Sequence, residues 1–313
     1  MNPEYPLEAL RIAVLIPCYN EAETIGGVIR DFREALAGAH VYVYDNNSDD
    51  STVEVAAAAG AIVRRERLQG KGNVVRRMFA DVEADIFVLV DGDGTYDAAA
   101  VPSMVRLLYE EDLDMVNGRR VAVASTAYPR GHRFGNKLLS GAVAMVFGAR
   151  FADMLSGYRV FSRRFVKSFP ALTKEFEIET ELTVHALELS LPVAEVETVY
   201  RQRPTGSQSK LRTIRDGLKI ALAITILVKE ERPLQMFSIM GFASLFLALV
   251  LAAPLLPTYI ATGEVPRFPT AVLATGLGVI GVVSLFSGLI LDTVTHGRRE
   301  LKRLFYLQTS RFL

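Results

Sequence analysis

The sequence predicts an α/β fold: a mainly parallel sheet covered by helices on both faces, then a pair of apolar helices. Three observations predict it. From residue 11 to residue 200, short apolar runs alternate with stretches of helical spacing. One of those runs, residues 87–90, stops abruptly at two acids one residue apart, Asp91 and Asp93. Further on, residues 234–256 and 268–291 carry no charge over 23 and 24 positions.

In chain order, residues 11–16 read as a buried strand stopped by Pro17, and the polar opening before it shows no signal-peptide pattern. Ile25, Val28, Ile29, Phe32 and Leu36 then follow helical spacing. A second strand at 41–44 runs into Asp45-Asn46-Asn47-Ser48-Asp49-Asp50-Ser51-Thr52, which is turn and N-cap chemistry for a helix reaching Gly60. A strand at 61–64, the loop Gln69-Gly70-Lys71-Gly72-Asn73 and another helix lead to the 87–90 strand. After the acids come a helix at 98–110, a strand at 113–117 ending in Gly118-Arg119-Arg120, and a loop over 121–133. An apolar helix follows at 136–148, too short to cross a bilayer. A strand at 153–161, a helix at 176–189 and a last strand at 193–200 complete the head.

Charge patterning extends the reading. Residues 1–200 hold 21 Lys/Arg against 29 Asp/Glu, whereas 201–232 hold 8 against 3 and 292–313 hold 5 against 2. The apolar pair is therefore flanked by basic charge on both sides. The positive-inside rule then predicts that both termini and the head lie in the cytoplasm, in a cell membrane crossed twice. The helix before the pair is basic in its first half and apolar over 220–228, as an interfacial helix would be. The organisation expected is a head over 1–207, an interfacial amphipathic helix over 208–232, a transmembrane hairpin over 233–291 and a basic tail over 292–313. Zero formal net charge gives no global case for nucleic acid as a partner, and the single cysteine, Cys18, excludes an intrachain disulfide framework.

Ligands in open α/β sheets bind beyond the carboxyl ends of strands. Four polar loops fall there: Pro17-Cys18-Tyr19-Asn20-Glu21, Asp45-Asn46-Asn47-Ser48, Gly70-Lys71-Gly72-Asn73 and Asp91-Gly92-Asp93. Their contents suit a nucleoside diphosphate, with acids for base, ribose and metal, glycines for close approach and Lys71 for charge. Two carboxylates at a strand end suit a divalent cation, Mg²⁺ or Mn²⁺, that also holds phosphate oxygens. A bare Asp-Gly turn capping the next helix is the competing explanation of 91–93. No G-x-G-x-x-G or Walker loop occurs, which argues against dinucleotide enzymes and P-loop ATPases.

These motifs resemble those of the family 2 glycosyltransferases, with their GT-A nucleotide-sugar fold. The matching residues are Pro17, Tyr19, Asn20 and Glu21, the run from Asp45, Lys71 and the D-x-D at 91–93. Further marks resemble the polyprenyl-phosphate glycosyltransferases, the group that includes dolichol-phosphate mannose synthase and bactoprenol glucosyltransferase. They are Arg119, Ser156-Gly157-Tyr158-Arg159, Arg203-Pro204-Thr205-Gly206-Ser207-Gln208-Ser209-Lys210 and the C-terminal helix pair. Two departures stand out. Dolichol-phosphate mannose synthases read D-A-D-L-Q where this chain has Asp91-Gly92-Asp93-Gly94-Thr95, and the Q-x-x-R-W motif of processive synthases is absent.

The resemblance implies one inverting transfer of a sugar from a UDP- or GDP-linked donor to a polyprenyl phosphate. That acceptor is already anionic and requires no strong base. Asp91 and Asp93 would hold the metal and, with Arg119, carry catalysis. Pro17, Tyr19, Asn20, Glu21, Asp45, Asn47, Lys71, Asp91 and Gly92 would bind the donor. Arg119, Arg133, Ser156, Arg159, Arg203, Ser207 and Lys210 would meet the acceptor phosphate. Glu177, Glu179 and Glu181 form an acidic cluster that either meets substrate or caps the sheet. A lipid-alcohol acceptor such as diacylglycerol, or an inactive scaffold, are the alternatives; self-association is left open.

Overall fold

The computed structural model describes residues 7–122, 141, 151–170, 178–201, 229 and 231–313. The chain divides into two compact units, one of Met1–Ile220 with Leu301–Leu313 and the other of Ala221–Glu300. In the first, β1 (Ile12–Cys18), β2 (His40–Asp45), β3 (Ile62–Arg65), β4 (Ile86–Leu89), β5 (Met115–Ala122), β6 (Arg159–Ser162) and β7 (Val193–Tyr200) form one sheet. The strand order is β3-β2-β1-β4-β6-β5-β7. Among the described strands, only β6 runs against the rest, paired antiparallel with β4 and β5. The mainly parallel α/β sheet expected from the sequence is present.

Alternation along the strands sends side chains to two faces. On one, Val14, Ile16, Val43, Val88 and Val160 pack with Ile25, Ile29 and Phe32 of α1 (Ile25–Ala35). The same core takes Val101, Met104 and Val105 from α4 (Val101–Glu110), while α2 (Thr52–Ala58) adds Ala56. The other face is aromatic. Phe79 of α3 (Lys71–Asp81) meets Phe87 and Phe161 edge-on, and Phe161 stacks on Phe165 of α5 (Arg163–Ser168) at 4.7 Å. His185 of α6 (Ile178–Glu188) closes that cluster against Phe165 and Phe169.

Three strand boundaries differ from expectation, each for a local reason. Pro17 does not stop β1, which continues through Cys18. Leu15 accepts a hydrogen bond from Val90 on the β4 side, so the donor Pro17 lacks would face the same side, beyond the β1–β4 ladder that ends at Leu15 and Leu89. β5 does not end at residue 117: Gly118, Arg119 and Arg120 are ladder residues paired with Val196, Glu197 and Thr198 of β7. Residues 153–158 are not a strand but the loop into a short β6. Of the predicted helix at 136–148, only residue 141 is described, and residues 208–228, most of the expected interfacial helix, lie outside the described residues.

At the amino-terminal edge of the parallel strands, buried acids are tied by residues far away in sequence. Asp85 accepts from the backbone N–H of Arg11 (2.8 Å) and of Leu313 (2.6 Å). Asp114 accepts from Ser162 Oγ and, at 2.8 Å, from Tyr306 Oη. Lys302 Nζ lies 2.5 Å from Glu188, whose side chain is wholly buried. Where the sequence suggested a separate basic tail over 292–313, Leu301–Leu313 group with the head.

The second unit contains α7 (Pro233–Ala252), α8 (Leu255–Thr262) and most of α9 (Phe268–Gln308). The helix over the first apolar run is interrupted at Pro254, which caps α8, and α9 continues well past residue 291. α9 buries Ala274, Gly281, Gly288 and Thr295 at seven-residue intervals. A Cβ on Gly281 would sit 2.6 Å from Leu245, and one on Gly241 would sit 3.0 Å from the Gly281 carbonyl, so small residues set this approach. Large apolar side chains such as Ile239, Phe246, Ile280 and Phe286 instead face outward.

Candidate active site at the carboxyl ends of the strands

The loops beyond β1, β2, β3 and β4 are stitched together by side chains. Asn20 and Asn47 both adopt left-handed backbone, with φ of 54° and 66°, which asparagine tolerates better than most residues. The backbone N–H of Asn20 donates to Ser48 Oγ (2.9 Å), that of Glu21 to Thr52 Oγ1 (2.9 Å), and that of Asp49 back to Asn20 Oδ1 (2.9 Å). Asn46, not singled out from the sequence, donates its amide to the carbonyls of Glu66 and Leu68 and accepts from Gly70 N–H at 2.7 Å. Asn47 donates to the Arg67 carbonyl (2.9 Å), and buried Asp45 accepts from Ser48 N–H (3.2 Å). Thr24 Oγ1 donates to the Gly92 carbonyl at 2.7 Å, joining α1 to the acidic turn. The four loops expected from the sequence therefore converge.

At their meeting point is a charge cluster. Gly70, at φ 126°, turns the chain into α3 and places Lys71 at its first position. Lys71 Nζ lies 2.5 Å from Asp91 Oδ1 and 2.5 Å from Glu179 Oε1, with only 11% of its side chain exposed. Burial alone would lower the lysine pKa, but Asp91 and Glu179 together hold it above the usual range. Asp93 is 4% exposed, and its Oδ1 accepts from Thr95 N–H (3.1 Å) and Thr95 Oγ1 (2.6 Å). Thr95, which replaces the resembled group's glutamine, thus orients Asp93.

The Ser156-Gly157-Tyr158-Arg159 stretch acts on Asp91 as a wall. A Cβ on Gly157 would lie 2.4 Å from Asp91 Oδ2, so a larger residue there would displace the Asp91 carboxylate. Gly157 N–H donates to Tyr96 Oη (2.9 Å), and Tyr158 packs on Phe32 and Tyr96. Two acceptor-phosphate expectations need correction here. Ser156 is buried and donates to the Gly118 carbonyl at 2.6 Å. Arg159 is 0% exposed; its guanidinium reaches the carbonyls of Ser156 and Met154 and the Thr183 hydroxyl, and burial lowers its pKa to about 10. Both brace the loop. Arg119 is different: its side chain is 40% exposed and paired with Glu197 across β5 and β7. Its neighbour Arg120 grips Asp153 with two bonds of 2.7 Å, holding that carboxyl below its usual range although burial alone would raise it. Arg133, Arg203, Ser207, Lys210 and Glu177 lie outside the described residues.

Residues 13–169 match the glycosyl transferase family 2 domain. The chain belongs to glycosyl transferase family 2. Over 299 residues this family member is 35% identical to glycosyltransferase AglJ of Haloferax volcanii, covering 95% of this chain and 98% of that protein. A dolichyl-phosphate hexose transferase of the same organism is 29% identical over 73% of the chain and 98% of its own length. Among solved structures, the transferase is similar in fold to Mycobacterium tuberculosis glucosyl-3-phosphoglycerate synthase, crystallised with Mn²⁺, UDP and glucosyl-3-phosphoglycerate. That match has a TM-score of 0.55 and 22% identity, over 73% of this chain and 85% of the other. The GT-A fold expected from the sequence is thus present.

Of Glu177, Glu179 and Glu181, whose role the sequence leaves open, Glu179 meets Lys71. It is separated from Lys71 by 108 positions, and no local pattern announces that contact.

Proposed function

We propose that this glycosyltransferase is membrane-bound and transfers one sugar, with inversion, from a UDP- or GDP-linked donor to a polyprenyl phosphate. The carrying observation is that a carboxyl-edge charge cluster shares its chain with outward-facing apolar helices. In the most apolar 18-residue windows of Pro233–Thr262 and Phe268–Gln308, only 11% and 17% of residues are buried, unlike the core helices of a soluble protein. The similarity to a dolichyl-phosphate hexose transferase supports the same reading. The positive flanks support a cytoplasmic head with both termini on that side and 258–267 on the other.

The donor set fits a divalent cation of the Mg²⁺ or Mn²⁺ kind. Asp91 and Asp93 offer hard oxygen atoms, and no cluster of three or more His, Cys, Asp or Glu side chains forms a closed cage among the described residues. Two carboxylates completed by substrate phosphates and water suit such ions. A bound cation would offset charge on the departing diphosphate. Lys71 brings an ammonium to the same place, and the positive end of α3 faces it. The lack of a side chain at Gly157 leaves room for the Asp91 carboxylate, and Thr95 fixes Asp93. Arg119 is the described candidate for the acceptor phosphate, which attacks without a general base.

Membranes containing the full chain, given UDP- and GDP-sugars and a short polyprenyl phosphate, should yield a hexosyl-phosphoryl-polyprenol detectable by mass spectrometry. Transfer to diacylglycerol but not to polyprenyl phosphate would overturn the acceptor. No transfer from any donor would favour the scaffold alternative.

A further inference from the structure

We propose that Glu179 is a positioning residue for the donor site: it holds Lys71 and prevents that ammonium from neutralising Asp91. The inference rests on the reading of Asp91 and Asp93 as the diphosphate and cation site.

Two carboxylates, Asp91 and Glu179, face one ammonium in a largely buried cluster. Lys71 divides its contacts equally, 2.5 Å to Asp91 and 2.5 Å to Glu179. Glu179 is 7% exposed, so it is not a solvated charge that happens to lie nearby. It is also anchored. Glu179 is the second residue of α6, and its carbonyl accepts from Thr183 Oγ1 (3.1 Å), which in turn accepts from Arg159 (2.9 Å). The buried arginine of the Ser156–Arg159 stretch thereby fixes the helix turn that carries Glu179, while Gly157 of the same stretch leaves room for the Asp91 carboxylate.

Electrostatics assigns the role. A lysine paired with Asp91 alone would cancel the charge that makes Asp91 useful to a cation. It would also lose its only partner whenever Asp91 turned to another ligand, and a buried, unpaired ammonium is costly. Glu179 removes both problems. It shares the ammonium, keeps the cluster net negative, and retains Lys71 beside the diphosphate when Asp91 is engaged. Outer partners of this kind commonly tune ligand affinity without touching the ligand.

The test uses full-length protein in detergent, with Mn²⁺ binding followed by electron paramagnetic resonance in the presence of UDP or GDP. Glu179→Gln keeps an acceptor for Lys71 but removes the charge. It should weaken Mn²⁺-dependent nucleoside-diphosphate binding by about ten- to a hundredfold, and leave metal-free UMP or GMP binding unchanged. In a Lys71→Met background, where the ammonium is already gone, Glu179→Gln should change binding by less than about twofold, because coupled residues are not additive. Equal losses in both backgrounds would make Glu179 merely structural and overturn the proposal. Wild-type binding with an unaffected Glu179→Gln would overturn this inference alone. No Mn²⁺-dependent binding by wild type would overturn the reading of the site along with it.

Discussion

The two edges of the sheet handle acids in opposite ways. At the amino edge, Asp85, Asp114 and Glu188 each end on dedicated donors: backbone N–H groups, hydroxyls or one lysine. At the carboxyl edge, Asp91 and Glu179 divide a single ammonium, and Gly157 leaves the Asp91 carboxylate room that a side chain would take. The first arrangement secures a fold. The second leaves charge uncancelled where a phosphate-bearing ligand would sit, as sites that favour function over stability do.

That contrast predicts which changes alter turnover and which alter stability. The largest effect belongs to Asp93→Asn. Asparagine keeps the oxygen that Thr95 N–H and Oγ1 use, so the turn should survive while the charge goes. Sugar transfer should fall about a hundredfold, equivalent to about 3 kcal/mol of transition-state stabilisation, with the melting temperature unchanged. An unfolded mutant would erase the distinction between the edges.

Next comes acid sensitivity from His185, which lies away from the chemistry. Burial, with a smaller contribution from Lys302, lowers its pKa from 6.5 to about 3. The unfolded chain takes up this proton below pH 6.5, whereas the folded chain resists it until about 3. Stability is therefore intact above 6.5 and declines as pH falls towards 3. Between pH 7 and pH 5 the loss should be about 2 kcal/mol. Chemical denaturation of wild type against His185→Gln should show this slope vanish in the mutant.

The smallest effect tests the amino edge itself. Tyr306→Phe removes a donor to Asp114 and should cost about 1.5 kcal/mol of stability. Turnover below the melting transition should match wild type. A selective loss of sugar transfer would show that the two edges are coupled rather than separate.

How much of this was legible in the sequence follows from distance along the chain. β7 matches its expected bounds because its pattern is local, and the four loops were found because strand ends are punctuated by Gly, Asn and Asp. Arg159 and Ser156 read as phosphate contacts because a sequence does not distinguish a buried arginine from a solvated one, and most arginines are solvated. The Lys71–Glu179 contact and the ties of 302–313 to Asp85, Asp114 and Glu188 span roughly one to two hundred residues, beyond any periodicity.

Those ties also impose an order in time. The head includes Leu301–Leu313, yet Ala221–Glu300 intervenes in the sequence. At about 5–20 residues per second of synthesis, those 80 residues delay the head's completion by roughly 4–16 s. During that interval, Glu188 and Asp114 have emerged without Lys302 and Tyr306. A nascent head is thus acidic and unfinished at one edge while the apolar helices are still being made, a stage at which a chaperone would meet it.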